Sequence, residues 1–82
     1  MRRMPLPASA KVRLGANVIS ARGDRKRSEI AAALGSSRES VAQVERGQRD
    51  ISIDWIVRLA KVLGTTAAAL LNGVRLIPEK KR

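Results

Sequence analysis

Short apolar segments, each closed by a glycine, are the feature of this 82-residue chain that most limits its fold. Within these segments apolar residues recur three and four positions apart, which is the period of an amphipathic α-helix. The chain shows no sustained two-residue alternation of the kind that indicates a strand. The pattern predicts five helices, near 8–22, 25–34, 38–46, 53–63 and 67–71. We therefore expect an all-α domain at 8–73, with a basic arm at 1–7 and a basic tail at 74–82.

Small polar residues stand where helix N-caps are expected, because their side chains can accept a hydrogen bond from the first free backbone N–H groups. Asp24, Ser37 and Ser52 are predicted to begin the second, third and fourth helices, and the pair Thr65-Thr66 is predicted to begin the fifth. Trp55 follows the start of the fourth helix and is expected in the core or at a dimer contact rather than stacked on a base.

The apolar stripes of the first and fourth helices predict which side chains enter the core. In the first helix Leu14 and Val18 define the stripe, and Val12 and Ile19 are expected to widen it. In the fourth helix the apolar face is expected to begin at Ile53.

Charge and composition narrow the classes of function. The net charge is +10, and the basic residues are concentrated before residue 28 and after residue 74, leaving a neutral middle. This distribution favours a polyanionic partner. The single aromatic residue provides little for stacking single-stranded bases, which favours duplex DNA. Without cysteine or histidine, nearly every transition-metal site and most catalytic arrangements are unavailable, so we expect neither an enzyme nor a cofactor.

The segment 27–45 carries the most informative spacing. Ala31 is small enough for two helices to touch there, and Gly35 permits the positive φ that a three- or four-residue turn requires. Val41 and Val44 lie three residues apart and are expected to pack the following helix onto the preceding one. The spacing predicts two helices joined by a tight turn. The positions that the second helix is expected to expose are Arg38, Glu39, Ser40, Ala42 and Gln43.

Together with this spacing, the stretch LGSSRESVAQVERGQRDISIDWIVRLAKVLG resembles the Cro/C1-type (XRE-like) helix-turn-helix family. The upstream LGANVISAR resembles the first helix of that family, and AALLNG resembles the fifth. The resemblance covers approximately residues 12–73 and implies a five-helix, lambda-repressor-like DNA-binding domain. It also implies that Glu45 pairs with Arg22 as a structural contact. The chain departs from the family at the start of the second helix, where Arg27 replaces the usual glutamine and Lys26 replaces the usual cap.

In such proteins the second helix of the motif enters the major groove of DNA. The resemblance nominates four base contacts, which are Arg38, Glu39, Ser40 and Gln43. Arg38 suits guanine, Gln43 suits adenine, and Glu39 suits cytosine, although Glu39 could instead orient Arg38. The predicted phosphate contacts are Arg25, Lys26, Arg27, Ser37, Arg46, Gln48 and Arg49.

The expected partners are double-stranded DNA and a second copy of the chain, in the cytoplasm at the nucleoid. Leu70, Val74, Leu76 and Ile77 are the predicted dimer contacts, although Leu70 could simply close the core. The leading hypothesis is a transcriptional regulator that represses its target. The alternatives are a restriction-modification controller within that class, an antitoxin-like interaction module, and a peptide that binds a membrane surface, for which a basic amphipathic face is missing.

Overall fold

A computed structural model describes residues 7–74 as five short α-helices. They are α1 (Ala8–Arg22), α2 (Arg27–Leu34), α3 (Arg38–Glu45), α4 (Ile53–Leu63) and α5 (Ala67–Leu70). The predicted all-α class is confirmed. None of these five helices has the length and apolarity needed to cross a membrane. Residues 1–6 of the predicted arm and 75–82 of the predicted tail lie outside the described residues.

One apolar core lies at the centre of the five helices. The first helix contacts α3 and α5, the second contacts α3 and α4, and α4 also contacts α5. The most completely buried side chains are Leu14, Val18, Val41, Val44, Leu59 and Leu70. Trp55 is half-buried against this core, as one of the two expectations for it stated. α3 is therefore held by two other helices, α1 and α2, and depends on both for its position.

Three of the four predicted N-caps are present. The side chains of Ser37, Ser52 and Thr66 each accept a hydrogen bond from the backbone N–H three residues later. Such a bond satisfies one of the N–H groups that a helix start leaves without a partner. These caps place the beginnings of α3, α4 and α5 where the sequence predicted them.

The predicted start of the second helix is wrong. Its N-cap is Lys26, and Asp24 lies two residues too early to cap it. The extended backbone at Lys26 begins the helix without a side-chain cap from that residue. In its place the Glu29 carboxylate accepts a hydrogen bond from the Lys26 backbone N–H at 3.3 Å, which is one half of a capping box. α2 consequently begins at Arg27.

The turn from α2 to α3 has the geometry expected of Gly35. Its φ is +69°, in the left-handed region, where a side chain would be strained. The next residue, Ser36, donates its N–H to the carbonyl of Ala31 at 2.9 Å, closing the end of α2. Residues 35–37 then connect α2 to α3.

Three apolar side chains that were expected in the core are exposed. Val12, Ile19 and Ile53 are 60%, 44% and 62% exposed. The buried stripe of α1 runs through Ala10, Leu14 and Val18, spaced by four residues, so Val12 lies on the other side of the helix. Ile53 is the first residue of α4 and precedes the buried part of that helix, which begins at Ile56.

Candidate nucleic-acid interface

The third helix has a buried inner edge and a polar outer edge. The inner edge consists of Val41, Ala42, Val44 and Glu45, all buried. The outer edge consists of Arg38 and Glu39, which are exposed, and Ser40 and Gln43, which are half-buried. The expectation that Ala42 is exposed is wrong, because α1 and α2 together cover two sides of this helix. The four side chains predicted to contact bases are the ones that remain outside.

The backbone of α1 lies directly against the end of α3 at Gly15. A Cβ atom placed on Gly15 would be 2.4 Å from the carbonyl oxygen of Glu45 and 2.7 Å from that of Val44. Only glycine allows this approach. Sequence reasoning matched Gly15 to the first helix of the family but gave it no role. The available signal was a glycine inside a helix, which costs about 1 kcal/mol relative to alanine and so indicates a packing constraint.

One carboxylate joins the first three helices. Glu45, at the end of α3, accepts from Arg22 Nε at 2.6 Å through one oxygen. Its other oxygen accepts from Arg27 Nε, also at 2.6 Å. The pair with Arg22 is the one that the family resemblance implied. The bond from Arg27 was missed, since that residue was assigned to a phosphate, and it links α2 to the same carboxylate.

The charge of Glu45 is stabilised by these two arginines. Burial of this carboxyl group would by itself raise its pKa above the ordinary value. The hydrogen bonds from Arg22 and Arg27, together with their positive charges, outweigh that effect and lower the pKa below 4.5. Glu45 is therefore ionised at neutral pH, and its acceptor atoms are taken by the protein itself. This arrangement makes it a structural contact.

Cationic side chains line an open cleft beside the start of α2. The lining residues are Arg22, Lys26, Arg27, Ser28 and Arg38. The cleft thus joins the N-terminal end of α2, whose backbone dipole favours anions, to the first residue of α3. Such a combination favours an anion beside the cleft. Sequence reasoning assigned Arg38 to base edges alone, whereas the structure also brings it beside the predicted phosphate contacts.

Two arginines that follow α3 donate hydrogen bonds to side chains on the outer edge of that helix. Arg46 donates to the Glu39 carboxylate at 3.0 Å and to the Gln48 side-chain oxygen at 2.9 Å. Arg49 donates through Nη1 to Ser40 Oγ at 3.0 Å and to Gln43 Oε1 at 3.4 Å. The acidic partner expected for Arg38 is thus bonded to Arg46. Sequence reasoning placed both loop arginines on phosphates and did not foresee these bonds.

Arg25 is engaged elsewhere in the fold. Its guanidinium donates to the carbonyl oxygens of Leu63 at 2.9 Å and Val62 at 3.4 Å, at the end of α4. It also donates to the carbonyl oxygen of Ala21 at 2.8 Å, near the end of α1. A cation at two helix C-termini satisfies carbonyl groups that have no partner within their helices. This explains the position of Arg25 without a phosphate.

The predicted dimer contacts divide into three cases. Leu70 is only 1% exposed and closes the core, so it offers no surface to a second chain. Val74 is half-buried at the margin of the core. Leu76 and Ile77 lie outside the described residues.

Two short helices joined by a three-residue turn, the second packed on its inner edge and polar on its outer edge, are the arrangement of a helix-turn-helix domain. A family model described as helix-turn-helix (HTH_3) matches residues 20–70. The chain belongs to this family, which is the Cro/C1-type family that the sequence resembles and whose members are DNA-binding transcriptional regulators. No curated protein sequence matches the chain.

Solved structures of gene regulators are similar to the described fold. The restriction-modification controller protein C.AhdI from Aeromonas hydrophila has a TM-score of 0.72 and 29% identity, covering 77% of this chain and 94% of that one. The clp gene regulator ClgR from C. glutamicum has a TM-score of 0.75 and 27% identity, covering 88% and 94%. Both likenesses extend over nearly the whole length of the other protein.

The solved structure of an epoxidase also contains a similar domain. The hydroxypropylphosphonic acid epoxidase from S. wedmorenis matches with a TM-score of 0.73 and 27% identity, over 78% of this chain but only 35% of its own. The similarity is thus confined to a part of the epoxidase. Residues 7–74 of the present chain contain no cluster of potential metal ligands.

Proposed function

We propose that this chain is a sequence-specific regulator of transcription that inserts α3 into the major groove of double-stranded DNA. It acts as a homodimer in the cytoplasm, at the nucleoid, and represses its target by occupying the operator. The observation that carries the proposal is the division of α3 into a locked inner edge and a polar outer edge. An α-helix with side chains is about 10–12 Å across, and the major groove is about 12 Å wide.

The outer edge of α3 supplies the base contacts. Arg38 is at the first turn of the helix and exposed, so its guanidinium can reach the O6 and N7 atoms of guanine. Glu39, Ser40 and Gln43 follow along the same edge. Because Arg38 also lines the cationic cleft, it can alternatively hold the phosphate next to the base that the helix faces.

The residues around this edge supply the phosphate contacts. The proposed set is Lys26, Arg27, Ser37, Arg46, Gln48 and Arg49. Arg25 is left out because its donors are bonded to the ends of α1 and α4. Phosphate contacts provide affinity without sequence preference and make binding sensitive to salt.

Selection of bound sites from a random duplex library tests the proposal directly. We expect a palindromic consensus with half-sites about one helical turn apart, as two-fold symmetry requires. A chain that enriches no sequence, or that enriches single-stranded DNA equally, would contradict the proposal. Sedimentation of the free chain and of the complex would show the dimer independently of the selection.

Two variants and a matched control separate the base contacts from general charge effects. Arg38→Ala and Gln43→Ala are each expected to weaken binding to the selected site by about fivefold or more while sparing binding to unrelated duplex. Arg58→Ala is the matched control for Arg38→Ala, because it removes one positive charge from an exposed position on α4, where Arg58 pairs with Asp54. It should leave both affinities nearly unchanged. Equal losses of specific and unspecific binding in Arg38→Ala would reassign that residue to the phosphate.

The likeness to C.AhdI supports a second candidate within the same class. This chain matches 94% of that controller protein at 29% identity. Mapping of the sites that the chain occupies in its own genome distinguishes the two, because a controller is expected to bind upstream of restriction-modification genes.

A further inference from the structure

We infer that Arg49, a residue of the loop after α3, determines the base that Gln43 selects. The inference rests on the proposed insertion of α3 into the major groove. Arg49 Nη1 lies 3.0 Å from Ser40 Oγ and 3.4 Å from Gln43 Oε1, so its guanidinium sits between two of the four outer-edge side chains. Both contacts join the loop to the outer edge of α3.

The bond from Arg49 sets the orientation of the Gln43 amide. A guanidinium group has donors and no acceptor, so the amide atom that faces it must be the oxygen. The Nε2 group of Gln43 is then turned away from Arg49. Ser40 is held in the same way, since its hydroxyl also contacts Ser37 Oγ at 2.9 Å. The outer edge near Gln43 therefore presents N–H donors.

A Gln43 amide held in this orientation can no longer form the bidentate pair with adenine that glutamine usually forms. Pairing with adenine requires Oε1 to accept from the N6 amino group while Nε2 donates to N7. Although Oε1 keeps a second lone pair, the Arg49 cation beside it opposes the positively polarised amino hydrogens of adenine. Guanine presents two acceptors, O6 and N7, and no donor at that place. We therefore expect guanine, and not adenine, opposite Gln43.

The test compares the selected consensus of the wild-type chain with those of three variants. Arg49→Ala frees the amide and is expected to raise adenine over guanine at the Gln43 position by about fivefold or more. Gln43→Ala should abolish the preference there, with or without Arg49. Arg46→Ala is the matched control, because it removes an arginine from the same loop while its partners are Glu39 and Gln48. Its overall affinity for DNA is expected to fall, since Arg46 belongs to the proposed phosphate set, but the base selected opposite Gln43 should remain guanine.

Several results would overturn the inference. They are adenine opposite Gln43 in the wild-type consensus, an unchanged preference in Arg49→Ala, and an equal shift in Arg46→Ala. If the wild-type chain selects no consensus at all, the proposed function fails and this inference fails with it. In the free protein, the side-chain amide resonances of Gln43 should move in Arg49→Ala and stay in Arg46→Ala. Unmoved resonances would refute the bond itself, independently of DNA binding.

Discussion

Replacing Gly15 with alanine should destabilise the domain, although alanine is the better helix former. Helix propensity alone predicts that the variant gains about 1 kcal/mol. The structure predicts the opposite sign, because the added Cβ atom would lie 2.4 Å from the carbonyl oxygen of Glu45. An ordinary contact begins near 3.4 Å, so α1 and α3 must separate locally by about 1 Å. The blocking atoms belong to backbone and cannot rotate aside.

The magnitude follows from these two opposed effects. Overpacking of a close contact costs about 1–3 kcal/mol, and a rigid obstacle places this site near the upper end. After subtraction of the propensity gain, we expect a net loss of about 2 kcal/mol in the free energy of unfolding. For a domain of this size that loss corresponds to a decrease of about 8–16 °C in Tm.

Thermal and urea denaturation followed by circular dichroism would measure the effect. The matched control is Ala16→Gly, at an exposed position of the same helix, which should destabilise the chain by about 1 kcal/mol through propensity alone. A Gly15→Ala variant that is as stable as the wild-type chain, or more stable, would refute the close contact between α1 and α3.

Three further predictions concern the polar contacts. In the folded chain the pKa of Glu45 is lowered below 4.5, so its stabilising contribution is complete above about pH 4.5 and is lost as the pH falls through the lower, folded value. Urea titrations at successive pH values should therefore show a shallower acid loss of unfolding free energy in Glu45→Gln. Arg25→Ala should lower the unfolding free energy by about 1–2 kcal/mol without changing the salt dependence of DNA binding. A smaller dependence of DNA binding on salt concentration would indicate that Arg25 contacts a phosphate. Ser37→Ala should cost about 1 kcal/mol in denaturation experiments, whereas Ser37→Gly should cost only a few tenths.

The helices, and the tight turn that joins α2 to α3, could be predicted from the sequence because their determinants are local. A serine or threonine cap and a closing glycine act within a few residues, and Gly35 has the positive φ that the turn demanded. The start of α2 could not be found in this way. The residue with the best capping side chain, Asp24, lies before the point where the backbone becomes helical, and that point is at Lys26.

Burial and pairing were less predictable because they depend on distant segments. Helical period does not reveal how many neighbours cover a helix, so Ala42 was expected outside although α1 and α2 enclose it. The same limit explains the exposed Val12. Long arginine side chains can reach several partners, and sequence alone did not indicate that Arg27 bonds to Glu45 or that Arg49 bonds to Gln43.

The division of α3 into a buried inner edge and a polar outer edge affects how the DNA specificity of such a chain can evolve. Residues on its outer edge contribute nothing to the core, so a new target site can be acquired by substitution there at little cost in folding free energy. Three of these positions, Glu39, Ser40 and Gln43, are nevertheless bonded to the following loop through Arg46 and Arg49. We expect descendants with altered operators to change helix and loop together, as paired substitutions, while Val41, Val44 and Glu45 stay constant.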